Sequence, residues 1–438
     1  MKSYIIILLI VPFSIQLNAQ KILSKKKAIS IALENNYGIL LAKNSIKIAE
    51  NNSSIYNSRL LPTITANGGI NFDLSNSEFE LQNGTTNKIS NADTKAYNAS
   101  IGANYLLYDG NGRKYNYKAL KETHNLTELQ AKETIENTYL KLFNVYYQIA
   151  RLSENIKTIK EALAITKKRL TRAEYQYEYG QANKLEILNA KVDINNDSIN
   201  LINTKQLYTN AKRDLNIILV KSQDITYKVD TKVSFGLFTF DDLYSKAVAN
   251  NIVLQQQEKN ISISKLNIKT NKATLLPTVG LSTSYGWNLS DNANTNTAFF
   301  VQNMNYGLKT SVNVSWNIFD GGSSKTRITN SKIMLENQQL VKQQQTDNLK
   351  SILQNTWDEY QNKLYVLRTQ KLNIQTAQNN FDRTNERFKL GQVNSIAFRQ
   401  AQLNLLNTQT AVNNAKYDAK LIEIQLLQLS GQLLDVEF

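Results

Sequence analysis

The 438-residue sequence contains no cysteine, a single histidine and only three methionines. Without cysteine it can form no disulfide, carry no thiol nucleophile and accept no lipid on a cysteine. His124 and so few methionines supply no cluster of soft metal ligands. No glycine-rich loop joins a strand pattern to a helix pattern, as phosphate binding requires. We therefore expect a protein that is not an enzyme, with no catalytic residues, no cofactor and no metal site.

Long apolar runs are equally scarce, and the one that stands out lies at the N-terminus. Lys2 precedes the run "YIIILLIVPF", and Ala19 supplies the small residue expected before a signal-peptidase cut. We predict a signal peptide at residues 1–19 and an exported protein without a lipid anchor. The run is too short to span a bilayer as a helix, and no later segment approaches the roughly 20 apolar residues that such a helix needs.

The net charge is far from balanced, at +15 for pH 7. Such a basic chain could bind nucleic acid or an anionic membrane surface. The basic residues, however, are interleaved with acids, as in residues 157–180, which is typical of a solvated helix face. Together with the predicted signal peptide, this pattern argues against a nucleic-acid partner.

Proline is also scarce, and its positions indicate an internal repeat. Pro12 lies in the predicted signal peptide, whereas Pro62 and Pro277 each follow a Leu-Leu pair and lie 215 residues apart. The strings "LLYDGNG" and "YEYGQANKLEILNA" are answered by "NIFDGGS" and "FKLGQVNSIAFRQA", each 211 residues later. The sequence therefore predicts two structural repeats, residues 20–221 and 222–438.

Each repeat contains two stretches in which apolar residues alternate with small polar ones. This period places the two sets on opposite faces of a strand. Each stretch approaches the length of a tilted transmembrane strand, about 9–11 residues, and Tyr and Trp gather toward its ends. We expect the apolar face to meet lipid and the polar face to line a wet lumen, although a soluble half-buried sheet would alternate in the same way. The predicted strands are about 63–74, 97–108, 278–289 and 308–319, with polar loops at 76–94 and 291–306.

The remainder of each repeat is predicted to be helical. Two segments without glycine or proline carry apolar residues at heptad spacing, which predicts long helices that need neighbours along their length. Gly180 and Gly391 follow them, as residues that tolerate positive φ should. The long helices are predicted at 113–179 and 323–390, the returning helices at 182–220 and 393–431, and shorter stacked helices at 41–60 and 255–275.

Short turns join the predicted helices to the strands. A proline stops each shorter helix and starts a strand, where the loss of an N–H costs least. An Asp-Gly pair then separates the second strand of each repeat from the long helix. The helix-to-strand junctions are predicted at Pro62 and Pro277, and the strand-to-helix turns at Asp109, Gly110, Asp320 and Gly321.

Four transmembrane strands are too few to close a barrel, because single-chain barrels begin at about eight strands. An open edge in lipid would leave backbone groups unpaired, at several kcal/mol each. The chain is therefore expected to share a barrel with copies of itself. Two, three or four copies would give 8, 12 or 16 strands, and the residues alone do not choose among them.

The duplicated order of helix, Leu-Pro, strand pair, Asp-Gly, long helix, glycine turn and returning helix resembles the TolC-like outer-membrane efflux protein family. The resemblance implies a mainly α fold with a transmembrane β portion: a homotrimer with a 12-strand β-barrel continued by a 12-helix α-barrel. It also implies a periplasmic adaptor, an inner-membrane transporter of RND, ABC or MFS type, and a location in the outer membrane of a Gram-negative-type bacterium, extending into the periplasm.

Two functions follow as hypotheses. The first is a passive outer-membrane exit duct of a tripartite efflux or type I secretion system. The second is an exported coiled-coil structural or adhesive protein without a pore. The period-two strands with aromatic ends favour the duct.

The resemblance also implies functional residues at the two helix-turn-helix tips. The expected adaptor-docking residues are Tyr179, Gly180, Gln181, Leu390, Gly391 and Gln392. The positions of the family's periplasmic gate are occupied by Glu186, Phe388, Val393, Ala397 and Gln400. Of these only Glu186 keeps the family's charge, since Val393 replaces a cation and Ala397 and Gln400 replace acids. We therefore expect weaker cation preference than in acidic-tipped relatives.

Overall fold

The computed structural model describes residues 22–223, 227–292 and 301–436. The predicted signal peptide, residues 1–19, lies outside them. In chain order the elements are β1 (Ile22–Leu23), α1 (Lys25–Asn35), α2 (Tyr37–Asn52), a 3-10 turn (Ile55–Asn57), β2 (Thr63–Glu80), β3 (Thr86–Tyr108), α3 (Gly112–Glu178), α4 (Lys184–Leu219), β4 (Lys228–Val229), α5 (Phe240–Asn250), α6 (Ile252–Ala273), β5 (Thr278–Asn292), β6 (Gln302–Ser315), α7 (Ser323–Lys389) and α8 (Ser395–Leu429).

The chain divides into two compact units, and α3 and α7 contribute to both. We call one the strand unit because it contains the four long strands. We call the other the helical unit because it contains α4 and α8. The strand unit comprises Asn44–Gln130 and Val253–Gln345, and the helical unit comprises Met1–Lys43, Ala131–Ile252 and Thr346–Phe438.

The four long strands form one antiparallel sheet in the order β2-β3-β5-β6. The registers align Ile70, Tyr97, Leu289 and Met304 in a single row across it. Directly paired residues share a face, so the alternating apolar residues of all four strands lie together, as predicted. Side chains on this face remain uncovered within the chain, and Ile70 is 73% exposed.

The strands of the first repeat are longer than the sequence predicted. Residues 76–94 were expected to be a loop, but β2 runs to Glu80 and β3 begins at Thr86. The alternation stops there, whereas backbone pairing continues past an irregularity between Ser75 and Ser77, with an ion pair between Lys88 and Glu78 at 3.0 Å. A sheet ladder needs no apolar side chains, which is why the loop prediction was wrong.

The second hairpin differs from its prediction at both ends. Part of the expected loop at 291–306 is strand, since β5 continues to Asn292 and β6 begins at Gln302, while residues 293–300 lie outside the described part. The predicted strand at 308–319 ends early, at Ser315. Ser315 pairs with Thr278, and the next residue of the partner is Pro277, which has no N–H for the ladder.

The helices lie close to their predicted positions, with small differences at their ends. The returning helices begin two residues later than predicted, at Lys184 and Ser395, and an asparagine precedes each. Asn394 Oδ1 accepts from Ala397 N at 2.9 Å and caps α8, whereas the Asn183 side chain forms no such capping bond to α4. The shorter helix predicted at 41–60 ends at Asn52. Polar residues follow it. Ser53 Oγ donates to the carbonyl of Glu50, and such a local hydrogen bond competes with the backbone bonds that would continue the helix.

Side-chain contacts join the four long helices of the helical unit. Tyr360 of α7 donates to Glu423 of α8 at 3.2 Å, and Arg151 of α3 pairs with Asp418 of α8 at 3.2 Å. Helix α3 also contacts α4 and α7.

The segment joining the repeats packs against these helices. Its strand β4 pairs in parallel with β1. Tyr146 donates to the carbonyl of Leu23 at 2.7 Å and accepts from the N–H of Asp230 at 2.9 Å. Lys420 donates to the carbonyl of Ser234 at 2.8 Å. Buried side chains thus supply hydrogen-bond partners for the backbone of this segment, which forms little regular structure.

Candidate functional site

Two turns end the long helices, and both have the geometry predicted for them. Gly180 has φ +70° and Gly391 has φ +72°. At the first turn the N–H of Gln181 donates to the carbonyl of Gln176 at 2.7 Å, closing the helix end. A Cβ added at either glycine would meet nothing within 4 Å. The glycines are therefore required by the left-handed backbone and not by close packing.

The turns and the first residues of the returning helices present apolar side chains to solvent. Tyr179 and Leu390 are 75% and 72% exposed and occupy equivalent positions of the two repeats. The equivalent residues Leu185 and Ile396 are 59% and 72% exposed. Gln181 and Gln392 are exposed beside them. Each tip thus carries the same exposed apolar pair, a feature typical of protein-interaction surfaces.

The gate positions lie around these turns. Phe388 stacks on Phe398 with ring centroids 4.6 Å apart, and the Arg172 guanidinium lies 5.2 Å from its ring. The Phe388 ring is therefore partly buried within its own chain. Glu186 is half-buried in the first turn of α4, where a negative charge is favoured by about 0.3–1 kcal/mol.

The other three gate positions carry no charge. Val393 is half-buried beside the second turn, and Ala397 and Gln400 are exposed on α8. Gln400 donates to Asn404 on its own helix at 3.0 Å. These side chains offer no electrostatic lock at the tip.

A buried charged network joins α3, α4 and α8, and sequence reasoning missed it. Arg399 of α8 donates to both carboxylate oxygens of Asp197 of α4, at 2.6 and 3.0 Å. Thr166 of α3 donates to the same carboxylate at 2.6 Å. Arg169 of α3 pairs with Asp193 of α4, whose other oxygen lies 3.4 Å from Arg399 Nε. We call these five residues the Arg399 network.

The network lies inside the protein, because Asp197 is only 5% exposed and Thr166 is fully buried. Its signal in the sequence was the helical spacing of Asp193 and Asp197, which places both carboxylates on one face. The repeat-equivalent positions hold Leu188, Ala377, Asn380, Asn404 and Thr408, none of them charged. The network therefore occurs once per chain and ties α8 to the α3–α4 pair.

Glu136 of α3 is a further buried acid in the helical unit, with 5% exposure. Burial, followed by the nearby charges of Glu133 and Asp435, raises the pKa of Glu136 to about 7. This carboxyl therefore changes its protonation state near neutral pH.

The junctions between strands and helices repeat the same construction in both halves. Pro62 and Pro277 immediately precede β2 and β5. Asp109 accepts from the N–H of Arg113 at 2.8 Å, and Asp320 accepts from the N–H of Ser324 at 2.8 Å, so each carboxylate caps a long helix.

Positive φ follows each of these aspartates, at Gly110 (+68°) and at Gly321 (+66°). A Cβ on Gly110 would lie 2.8 Å from the carbonyl of Ala273, so packing also restricts this position. Hydrogen bonds from the hydroxyl and the N–H of Ser324 hold the pKa of Asp320 below its ordinary value.

None of the helices in the described residues is long and apolar enough to span a bilayer. One face of the sheet carries uncovered apolar side chains. The opposite face consists mostly of threonine, serine, asparagine and glycine, as in the β5 residues Thr278, Gly280, Ser282 and Ser284.

The comparisons with known proteins agree with this architecture. The family model for outer membrane efflux protein matches residues 28–219 and 243–432, one segment in each repeat. The chain is 20% identical over 404 residues to the outer membrane efflux protein BepC of Brucella suis biovar 1, covering 92% of this chain and 84% of BepC.

Solved channels share the fold at low sequence identity. The outer membrane protein VceC of Vibrio cholerae superimposes with a TM-score of 0.76 at 13% identity, covering 93% of this chain and 95% of VceC. The Campylobacter jejuni CmeC outer membrane channel superimposes with a TM-score of 0.75 at 16% identity, covering 93% and 85%. With a family model matched across both of its repeats, this chain belongs to the outer membrane efflux protein family.

Proposed function

We propose that the protein is a passive exit duct of a tripartite efflux or type I secretion system, spanning the outer membrane and the periplasm. The observation that carries the proposal is the sheet with one apolar and one small polar face, neither covered by the chain. Val312 and Val314 are 61% and 68% exposed on the apolar face. So large an uncovered apolar surface needs lipid.

Self-association is the second part of the proposal. Among the described strands, β2 and β6 form the two unpaired edges of the sheet, and open edges in lipid cost several kcal/mol for each unpaired group. Pairing β6 of one copy with β2 of the next would remove both. Three copies, the number implied by the family resemblance, would give 12 strands.

Exposed apolar side chains on two helices of the helical unit support the same arrangement. One side of α4 carries apolar residues at heptad spacing, each between half and two-thirds exposed: Leu185, Leu188, Val192, Ile199 and Ile202. Helix α7 exposes Tyr365 and Leu372, seven residues apart. We propose that α4 of one copy packs against α7 of the next.

The tips are the proposed docking site for the periplasmic adaptor, which would couple the duct to an inner-membrane transporter of RND, ABC or MFS type. The exposed apolar pairs Tyr179 with Leu185 and Leu390 with Ile396 support this assignment. The duct itself supplies no energy. The adaptor and the transporter would open the duct and select the cargo that enters it.

The test separates the duct from an exported coiled-coil protein without a pore. The protein is purified from outer membranes, its migration in detergent is compared before and after heating, and it is added to planar bilayers. We expect a heat-dissociable trimer that conducts ions without an energy source. A non-conducting protein whose migration heat leaves unchanged would favour the coiled-coil alternative.

A further inference from the structure

The polar face of the sheet is almost free of charge, and Lys309 is its principal exception. Lys309 lies on β6, paired with Ser284, and the row continues through Gly102 to Thr65. All three row partners are uncharged. Residues two positions away along β6, Gly307 and Ser311, are uncharged as well. Lys309 is exposed.

The nearest opposite charge on this face is distant. Where all four described strands pair, Lys309 places the only charge on the polar face, and Asp73 lies one row beyond that region. Asp73 lies at the outer margin, in the row of Thr94, eight residues along β2 from Thr65 in the Lys309 row. At about 3.3 Å per residue this separation is roughly 26 Å, beyond the Debye length of about 8 Å at physiological salt. Asp73 therefore does not neutralise Lys309.

The surroundings of Lys309 suit a hydrated solute. A concavity of about 390 Å³ at this part of the sheet is lined by Lys309, by Trp287, Tyr306 and Leu308 of the apolar face, and by amide and hydroxyl side chains, among them Asn98, Ser100, Ser284, Asn288 and Asn305. Amides and hydroxyls can both donate and accept hydrogen bonds. Among the described residues that line this concavity, none carries a carboxylate.

The position is specific to one repeat. The residue equivalent to Lys309 in the first repeat is Asn98, which is neutral and lines the same concavity. The lysine of the second repeat therefore corresponds to a neutral asparagine in the first.

We propose that Lys309 gives the strand-lined part of the duct a preference for anionic solutes, such as those that carry carboxylate or phosphate groups. The inference rests on the proposed trimeric duct, in which three copies of Lys309 form a ring. For 12 tilted strands about 4.8 Å apart, the backbone radius is about 12 Å. Three ammonium groups would then lie about 10 Å or less from the axis of the duct. Their field would act on a solute at the axis at about 0.01 M salt, where the Debye length is about 30 Å.

The expected effect can be measured. We sum the screened Coulomb energies of three unit charges, each about 10 Å from an ion on the axis. At about 0.15 M salt this sum predicts an anion-to-cation permeability ratio roughly threefold higher than in a duct without the three lysines, and the difference is larger at about 0.01 M. At about 1 M the Debye length falls to about 3 Å, and the preference should disappear.

The experiment is the reversal potential of the purified full chain in planar bilayers under a potassium chloride gradient. Lys309→Gln should lower the anion-to-cation ratio about threefold at about 0.15 M salt, Lys309→Glu should reverse its direction, and Lys309→Arg should preserve it. The matched control is Lys95→Gln, which removes a lysine from the opposite face of the same sheet and should leave the ratio unchanged. Heat-dissociable trimer is measured for each variant.

The failures of the two proposals differ. Conducting channels whose selectivity is the same in wild type and Lys309→Gln would overturn the role of Lys309 while leaving the duct intact. An equal shift from Lys95→Gln would also overturn it, because the effect would then come from total charge. If wild type does not conduct, the duct fails, and this inference with it. Cation preference of wild type at about 0.01 M salt would refute the inference even if no Lys309 variant folds.

Discussion

Replacing Arg399 by leucine, the residue at the equivalent position of the first repeat, tests the buried network most directly. The substitution leaves Asp197, 5% exposed, with Thr166 as a hydrogen-bond donor but without the guanidinium that binds both of its oxygens. Removing one partner of a buried ion pair costs about 3–5 kcal/mol, because the remaining charge stays buried without compensation. Arg399→Leu should therefore lower the thermal unfolding midpoint of the helical signal measured by circular dichroism.

The matched control is an ion pair between α3 and α8, two of the three helices that the network joins, at a more accessible place. Arg151 pairs with Asp418 at 3.2 Å, and their side chains are 29% and 39% exposed. Since exposed pairs contribute about 0–1 kcal/mol, Arg151→Leu should change the midpoint little. Equal losses for Arg399→Leu and Arg151→Leu would contradict the assignment of a buried pair.

The second repeat-derived design replaces the whole network by uncharged residues: Arg169→Asn, Asp193→Asn, Asp197→Thr and Arg399→Leu together. This variant removes every buried charge of the network, so it should recover much of the midpoint lost in Arg399→Leu alone. A midpoint below that of the single variant would show that packing, and not uncompensated charge, explains the loss.

Three further changes test the tips, the sheet and the buried acid. Gly391→Val forces a β-branched residue into positive φ and should abolish export while the trimer still assembles in the membrane; export at the wild-type level would refute the tip assignment. Val312→Arg should cost about 2–4 kcal/mol per chain and deplete heat-dissociable trimer, whereas Asn313→Arg on the polar face should be tolerated far better. Equal depletion by the two variants would refute the assignment of the apolar face to lipid. Because folding raises the pKa of Glu136 from 4.5 to about 7, the stability of the wild type should fall as pH rises between these values. The stability of Glu136→Gln relative to wild type, measured through thermal midpoints, should therefore increase by up to about 3 kcal/mol by pH 8. A constant difference between the two proteins from pH 5 to 8 would refute this.

Local patterns predicted the parts of the fold that local physics determines. Period-two alternation located all four long strands, and the glycines Gly180 and Gly391 marked turns whose positive φ the structure contains. The predicted family, TolC-like fold and outer-membrane location are confirmed, and the family is one of channels and not of enzymes. These features depend on residues adjacent in sequence or on the order of elements along the whole chain.

The features that escaped prediction depend on contacts between distant segments. The outer part of the first hairpin is polar, and its strands are held by pairing between Glu80 and Thr86 and beyond, which alternation does not reveal. The Arg399 network joins three helices whose relative register no local pattern fixes. Phe388, a gate position implied by the family resemblance, stacks on Phe398 of the returning helix, a contact that no local pattern predicts.

The duplication itself separates two kinds of residue. Residues that keep their chemistry in both repeats, such as the turn glycines and the capping Asp109 and Asp320, are required by the backbone geometry that each repeat must form independently. Positions that differ cannot serve that common geometry, because the other repeat forms it without them. Arg399 corresponds to Leu188 in the first repeat, and Lys309 corresponds to Asn98, so neither charge is present in both repeats. We therefore expect Arg399 and Lys309 to act outside the repeated geometry, and the Arg399→Leu and Lys309→Gln variants test this.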